Sequence, residues 1–467
     1  MSQFQFSGLK KIPRFFFVLA FIPLPGRAQN QAFTEVPLTD LSAFKNPSAN
    51  WSVAGVVNGR VDKPFEVQSG QGILVNDPGQ KKNDDIFTNF EHGDIDLSVD
   101  FMMPPGSNSS IYLQGRYKIQ LPDSWGKDVL TWQDYEGVAP RMNVSRAPGL
   151  WQNLHIGFTA PKFDSSGKKT ANARIVRVVL NGALIIENVE LTGPAPGSAF
   201  ADEAPMGPLR LQGDHGARAF RNIKYSTKVV AANYNPDGPQ NVETPTFIEV
   251  EDAPVVQRSF VRFEGKIVPH AVNVGFPHHV SFAYDLENGA VFQVWKGNFL
   301  NATPMWWSRG DGTTRANGSV LQLNAASPLA VLNTGDATWP DSLSDRLPYT
   351  PKGYELDDTG CPTFKYMLGG LAVDDKISPL DSGKRLVRRV AITGTVPQNL
   401  FFRVAAGKSI TAIGDGMYSV NDYEYYLQIS NNNKDRPILR TTAAGQELLL
   451  PVKDTDKGET IEYSMIW

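Results

Sequence analysis

Residues 173–191 read ARIVRVVL-NG-ALIIENVEL, two runs rich in branched apolar residues on either side of Asn181-Gly182. Branched residues favour strands, and Asn-Gly is a preferred centre of a type I′ turn because both residues tolerate positive φ. The stretch therefore predicts a β-hairpin, with one strand at 173–180 and the other at 183–191. It favours a fold built from short antiparallel strands.

Outward from this hairpin, two stretches alternate apolar and polar residues with the period of a strand. In residues 94–102 one face carries Ile95, Leu97, Val99 and Phe101. Residues 111–121 are predicted as one strand, with Tyr112, Gln114, Arg116, Lys118 and Gln120 on its open face. Since no long amphipathic helix occurs and the chain has 41 Gly and 33 Pro, the pattern predicts an all-β two-sheet sandwich or jelly roll.

The length of 467 residues is more than one core usually serves, so we expect two domains. Residues 233–239, Asn-Tyr-Asn-Pro-Asp-Gly-Pro, have the composition of a linker. We place that linker at 227–246, between a first domain at 35–226 and a second, β-sandwich-like domain at 247–467. A net charge of −3 without a Lys/Arg run argues against nucleic acid as a partner, and the single Cys361 excludes an intrachain disulfide.

The first 28 residues have the pattern of a targeting segment. Lys10, Lys11 and Arg14 precede the apolar run 15–24, and residues 25–28 offer a small-residue cleavage site. A membrane anchor is the alternative, but the run has about half of the ~20 residues that a spanning helix needs. We therefore expect a signal peptide and a periplasmic or secreted protein, with no membrane insertion after the segment is removed.

Three ordered blocks carry a family resemblance. Residues 108–124 read NSSIYLQGRYKIQLPDS, residues 147–152 read APGLWQ, and residues 211–223 read LQGDHGARAFRNI. Together they resemble the 3-keto-disaccharide hydrolase family over residues 35–226. The resemblance implies a concanavalin-like jelly roll, of a kind often labelled as resembling family 16 glycoside hydrolases, that cleaves glycosides already oxidised at C3.

The resemblance also indicates where the chemistry lies. The family commonly has Glu where this chain has Lys118, so an obvious acid/base is missing from the open face. His215, Asp123 and Asp214 remain as candidate catalytic residues, His215 because its ordinary pKa lies nearest neutrality. The candidate substrate contacts are Tyr112, Gln114, Arg116, Lys118, Gln120, Gln212, Trp132 and Arg141.

Other residues leave alternatives open. Asp96 and Asp100 form either a carboxylate pair of the kind that glycosidases use or simply part of the solvent-exposed face of a strand. The aromatic residues of the following loop either stack on sugars or cover the end of the sandwich; they are Trp125, Trp132 and Tyr135. Arg146 is a further cleft candidate with no fixed direction.

Residues 274–310 of the second domain resemble a β domain found beside bacterial proteins classed as membrane-associated dehydrogenases and haem-binding proteins. Adjacent histidines on a strand point apart, so His278 and His279 make a poor metal pair. Packing is the expected role of the tryptophans Trp295, Trp306 and Trp307. No cofactor is indicated, although a structural divalent cation such as calcium stays open.

Three functions fit this reading. The first is an exported enzyme that hydrolyses 3-keto-glycosides by elimination and hydration. The second is a carbohydrate-binding protein that lost the family's acid/base at Lys118, and the third is a structural or interaction β-sandwich. The expected partner of the first two is a carbohydrate or keto-sugar glycoside; oligomeric state is left open.

Overall fold

Two β regions, at 33–226 and 247–467, make up the part of the chain that the computed structural model describes. The described residues are 32–77, 79, 83–127, 138–229, 245–306, 310–340, 347–433, 436–453 and 458–467. Within them no helix is long and apolar enough to cross a membrane. Residues 33–467 form a single compact unit.

The first β region consists of short antiparallel strands. They are β1 (Thr34–Glu35), β2 (Phe44–Lys45), β3 (Trp51–Asn58), β4 (Glu66–Asn76), β5 (Ile86–His92), β6 (Ile95–Met102), β7 (Asn108–Leu113), β8 (Tyr117–Pro122), β9 (Gln152–Thr159), β10 (Lys162–Phe163), β11 (Lys169–Ala171), β12 (Ala173–Leu180), β13 (Ala183–Leu191), β14 (Gly207–Leu211) and β15 (Arg218–Ser226).

Two sheets face each other in this region, as a jelly roll requires. One runs β13-β12-β9-β6-β15-β4-β3 with β1 on β15, and the other runs β2-β5-β14-β7-β8. Ile95, Leu97, Val99 and Phe101 enter the core between them, which confirms the predicted inward face of residues 94–102. The 173–191 hairpin is also confirmed, with φ of 51° at Asn181 and 82° at Gly182.

The prediction of one strand across residues 111–121 is wrong. β7 ends at Leu113, a turn follows at 114–116, and β8 returns antiparallel with Leu113 opposite Tyr117. Gln114 and Gly115 have φ of 51° and 66°, so the chain reverses there. Because the turn has three residues, Leu113 and Tyr117 fall on the same face. The apolar residues therefore alternate as they would along a single strand.

The second β region contains one short helix, α1 (Thr303–Trp306), among its described elements. Its strands are β16 (Phe247–Ile248), β17 (Val255–Phe263), β18 (Lys266–Phe276), β19 (Val280–Asp285), β20 (Ala290–Asn301), β21 (Arg315–Gln322), β22 (Leu329–Val331), β23 (Tyr349–Leu356), β24 (Pro362–Leu368), β25 (Leu371–Leu380), β26 (Arg385–Thr393), β27 (Leu400–Gly407), β28 (Ile410–Gly414), β29 (Met417–Val420), β30 (Tyr425–Ile429), β31 (Ile438–Thr442), β32 (Gly445–Pro451) and β33 (Glu459–Ile466).

These strands form three sheets around a shared core. The sheets run β16-β20-β19-β18-β17 with β21 on β20, then β22-β27-β32-β31, and β23-β24-β25-β26-β33-β30-β29-β28. A buried ion pair stands in that core, where Arg388 donates to both Asp375 oxygens at 3.0 and 2.6 Å. Tyr284 adds a third hydrogen bond to the same carboxylate at 3.0 Å.

The two β regions share apolar packing at the turn of residues 147–151. Ala147, Leu150 and Trp151 belong to the same buried cluster as the core of the second region. Gly149 has φ of 77°, and a Cβ there would come within 2.5 Å of the Tyr426 hydroxyl. The predicted linker lies mostly outside the described residues, at 230–244, so the domain limits stay a prediction.

Candidate functional site

The open face of the five-stranded sheet carries polar side chains across β14, β7 and β8. Gln120 pairs with Ser110, whose carbonyl accepts a hydrogen bond from Gln212 N at 3.0 Å. The Gln120 amide donates to Asn108 Oδ1 at 3.1 Å, and Asn108 N donates to His215 O at 2.9 Å. Lys118, half-buried, shares this face because it lies two residues before Gln120. We call the set the polar strip; it contains Asn108, Ser110, Lys118, Gln120, Gln212 and His215.

The loop of residues 212–216, which follows β14, is fixed by polar side chains beneath it. Asn76 is fully buried and donates to the carbonyls of Gly213 and Gly216 at 2.9 and 3.2 Å. Arg218 is buried as well, with Nη1 3.3 Å from the carbonyl of Gly216. Burial lowers the pKa of Arg218 to about 9, although the Asp214 carboxylate raises it. A loop supported in this way presents its side chains in one arrangement.

His215 is the exposed side chain that this loop presents. Its φ is 66°, a left-handed conformation that is uncommon outside glycine and often found at functional sites. Nδ1 lies 2.9 Å from Asp214 Oδ1 and 3.5 Å from Gln212 Nε2. Burial raises the pKa of Asp214, but hydrogen bonds from His215 and Gln212 outweigh that effect and the pKa is lowered. The Asp214 carboxylate lies beside Nδ1, so Nε2 is the ring nitrogen that remains for a substrate.

Asp123 lies beside the polar strip and caps a turn. Its N–H donates to Ser107 O at 2.8 Å, next to Asn108, and its carboxylate accepts from Gly106 N at 2.8 Å. The carboxylate is half-buried. The structure therefore brings His215 and Asp123 to the same end of β7, where the strand begins. His215 lies on the β14 side of β7 and Asp123 on the β8 side.

Two predicted positions on the open face are wrong. Gln114 is fully buried; its N–H donates to His92 Nε2 at 2.9 Å, and its side chain donates to the carbonyl of Pro205 at 3.0 Å. Arg116 is also buried, and its Nε donates to the carbonyl of Asp202 at 2.6 Å. Both residues belong to the turn between β7 and β8, about 20 Å along β8 from Asp123. Arg116 therefore does not line the polar strip.

Tyr112 does lie on the open face, but its ring is covered. The Arg210 guanidinium sits 4.2 Å from the ring centroid, and Arg210 is held by Asp85 through a hydrogen bond of 2.6 Å. The Asp85 carboxylate also accepts from Gly213 N at 2.8 Å, which links this cover to the His215 loop. Tyr112 is thus packing under the site rather than an open sugar contact.

The remaining candidates of the first region are dispersed. Arg141 lies away from the polar strip, at the edge strand β13, where it donates to Glu187 at 2.7 Å. Arg146 is buried and donates to the carbonyls of Trp151 and Glu424. Trp125 packs against the second β region instead of the end of the sandwich. Trp132 and Tyr135 lie outside the described residues.

Asp96 and Asp100 play different parts on the larger sheet. Asp96 is 0% exposed and accepts from Arg177 Nη2 at 2.6 Å and from the His155 ring, so it is not the wet side of a strand. Asp100 accepts from Asn153 and Asn222 at 2.8 and 2.7 Å. The prediction missed His155; its position opposite Ser98 on the neighbouring strand could have been found only with the register known.

In the second region His278 and His279 lie in the turn after β18 instead of on a strand, and His279 has φ of 53°. Both residues line one cavity. Trp295 is fully buried and donates to two backbone carbonyls, as its expected packing role requires. The side chain of Trp306 and all of Trp307 lie outside the described residues. Within the described ranges, no three His, Cys, Asp or Glu side chains are placed to hold a metal ion.

Comparison with known proteins bears on the first β region. Residues 39–226 match the model of the 3-keto-alpha-glucoside-1,2-lyase-like domain family. The match identifies a carbohydrate-related domain in this part of the chain. It does not bear on the resemblance that we draw for the second region. No curated protein matches the chain.

Among solved structures, a proposed glycosyl hydrolase from Parabacteroides distasonis is 19% identical, with 48% of this chain and 94% of that chain covered and a TM-score of 0.31. The carbohydrate-binding module CBM66 from Bacillus subtilis is 12% identical over 42% and 97% of the two chains, with a TM-score of 0.19. The botulinum neurotoxin serotype G binding domain is 7% identical over 89% and 93%, with a TM-score of 0.23. We draw no conclusion from superpositions this poor.

Proposed function

We propose that the jelly roll of residues 39–226 binds glycosides at the polar strip and cleaves those that carry a ketone at C3. The family match supports the substrate class. The observation that carries the proposal is His215, exposed, left-handed and paired through Nδ1 with Asp214 on a loop that buried Asn76 and Arg218 support.

A C3 ketone makes the proton on C2 acidic. His215 Nε2 takes that proton, which leaves an enolate with its charge on the C3 oxygen. The C3 ketone then re-forms, and the electron pair makes the C1=C2 bond as the C1–O bond to the aglycone breaks. The aglycone leaves with a proton, for which Asp123 is the candidate acid. Water then adds to C1 and a proton returns to C2, so that hydrolysis is the net reaction.

Lys118 fits the stabilisation of charge in this scheme better than proton transfer. Removing the C2 proton places negative charge on the C3 oxygen, and an ammonium group on the same face stabilises an enolate there. Gln120 and Gln212 are left to bind sugar hydroxyls. A carboxylate at position 118 would repel the enolate, so the exchange of Glu for Lys changes the role of the position.

The direct test is incubation of the purified protein with a chromogenic 3-keto-glucoside and measurement of aglycone release. His215→Ala should lower the rate by about 10²-fold or more. Lys118→Gln should lower it by a similar factor through loss of an oxyanion contact. His270→Ala, at an exposed histidine of the second region, is the matched control and should leave the rate unchanged.

Non-catalytic binding is the second candidate, and Lys118 in the place of an acid favours it. In that case the keto-glucoside would bind without turnover, and His215→Ala would weaken binding only modestly. Full cleavage by His215→Ala would remove this residue from the mechanism.

We also propose that the protein acts outside the cytoplasm, in the periplasm or secreted, on the basis of residues 1–28.

A further inference from the structure

A cavity of about 390 Å³ lies between the two β regions and is lined by none of the polar-strip residues. Residues 141–145 of the first region form one wall. The turn at 277–279 and the strand β20, with Lys296 and Asn298, form the other. The two walls approach closely at Gly297, where a Cβ would come within 2.9 Å of Met142 Sδ. Its volume is within the range of about 300–1,000 Å³ that is usual for small-molecule sites.

Lys296 is a buried cation in the wall of this cavity. It is 7% exposed, and among the described residues it has neither a hydrogen bond nor an ion pair to its ammonium group. Its Nζ lies 5.3 Å from the centroid of Trp125 and 5.5 Å from that of Trp467. Two indole faces stabilise the charge in part, but they leave its three N–H donors without an acceptor.

The described lining of the cavity gives Lys296 no carboxylate. Arg141 there is paired with Glu187, and Lys127 donates to the carbonyl of Asp123. Lys127, Arg141 and the two histidines line the cavity, and the described lining contains neither Asp nor Glu. Lys384 Nζ lies 5.3 Å from the centroid of the Trp125 ring, which Lys296 also contacts. Burial, with a smaller effect of Lys384, lowers the pKa of Lys296 to about 7. A counter-ion is therefore what this cavity lacks.

We propose that this cavity binds a compact oxyanion, a carboxylate, sulfate or phosphate on a molecule of up to about monosaccharide size, with Lys296 as its main contact. Asn298 lines the same space and can bind a neutral oxygen of the ligand, whereas both amide protons of Asn143 are donated to backbone carbonyls. The site shares no side chain with the polar strip, so it goes beyond the function proposed above and stands or falls separately.

The test is calorimetric titration of the full chain with sodium glucuronate, sodium sulfate, sodium phosphate and, as the neutral counterpart, glucose. Glucuronate should bind at least about 10-fold more tightly than glucose. Equal binding of glucuronate and an inorganic anion would support the oxyanion site and identify a free ion as sufficient. Lys296→Met should weaken anion binding by about 10- to 100-fold, as expected for loss of a charged hydrogen bond. Lys408→Met, at an exposed lysine of the same region, should leave it unchanged.

Asn298→Asp keeps the proposal testable if Lys296→Met does not fold. This nearly isosteric change places a carboxylate on the wall two residues from Lys296, so it should supply the missing counter-ion and abolish anion binding. Absence of binding by all three anions to the unmodified protein would overturn the proposal, as would anion binding that neither variant weakens. In either case Lys296 would be a packing cation between two indoles.

Discussion

Replacement of His92 by glutamine should flatten the pH dependence of the unfolding free energy between about pH 4 and 6.5. His92 is 1% exposed and lies at the end of β5. Its Nε2 accepts a hydrogen bond from Gln114 N at 2.9 Å, and its Nδ1 lies 2.9 Å from the carbonyl of Gly93. The two contacts require a neutral ring with its proton on Nδ1. A second proton would break the hydrogen bond that holds the turn between β7 and β8.

The size of the effect follows from the pKa. Burial lowers the pKa of His92 from 6.5 to about 4, against a smaller opposite effect of the hydrogen bond to Gly93. Between these values the unfolded chain carries a proton on His92 that the folded chain does not. Stability is therefore complete above about pH 6.5 and is lost as the pH falls towards 4. At about 1.4 kcal/mol per pH unit, the loss amounts to about 3 kcal/mol.

Urea denaturation at several pH values between 4 and 7.5 measures this dependence. The difference in unfolding free energy between the unmodified protein and His92→Gln should change by about 3 kcal/mol across the range. Comparing the two proteins cancels the carboxylates, which titrate in both. His270→Gln, at a half-exposed histidine, should keep the slope of the unmodified protein. Parallel curves for the unmodified protein and His92→Gln would refute the reasoning.

Two further changes probe the packing. Asp375→Asn leaves the buried Arg388 guanidinium without its counter-ion and should cost about 3–5 kcal/mol, whereas Glu355→Gln, in an exposed pair, should cost less than about 1 kcal/mol; equal losses in urea denaturation would contradict this. Gly149→Ala adds a collision to an unfavourable φ and should lower stability by about 1–3 kcal/mol more than Gly167→Ala, where φ is 82° and the space is open. A smaller loss at Gly149 would show that the turn yields easily.

The alternation of apolar and polar residues was sufficient to predict which side chains point inward wherever one face of a strand packs in a core. Ile95 and Leu97 had to point inward because their strand alternates strictly, and Asn181-Gly182 specifies its own turn. The same alternation predicted that Lys118 and Gln120 of the polar strip lie on the open face. Gln212 and His215 reach it because β14 lies beside β7, a neighbour relation that alternation alone does not show.

The rest depends on tertiary contacts that no local pattern contains. Gln114 resembles its neighbours on an alternating strand, yet it turns inward because His92 offers it a buried acceptor. Asp96 resembles Asp100, and the positions of Arg177 and His155 on other strands of the sheet distinguish them. Lys296 lies in an apolar run of the sequence. Its lack of a counter-ion can be recognised only when both walls of the cavity are known.

The apolar turn at 147–151 has a practical consequence for any attempt to study the jelly roll by itself. An excised fragment ending near residue 226 would expose Ala147 and Leu150, which are fully buried in the whole unit, to water. An exposed apolar patch of this kind promotes aggregation during expression. A soluble fragment would need polar replacements at these positions, and the intact protein should melt in one transition because neither half can loosen without uncovering the other.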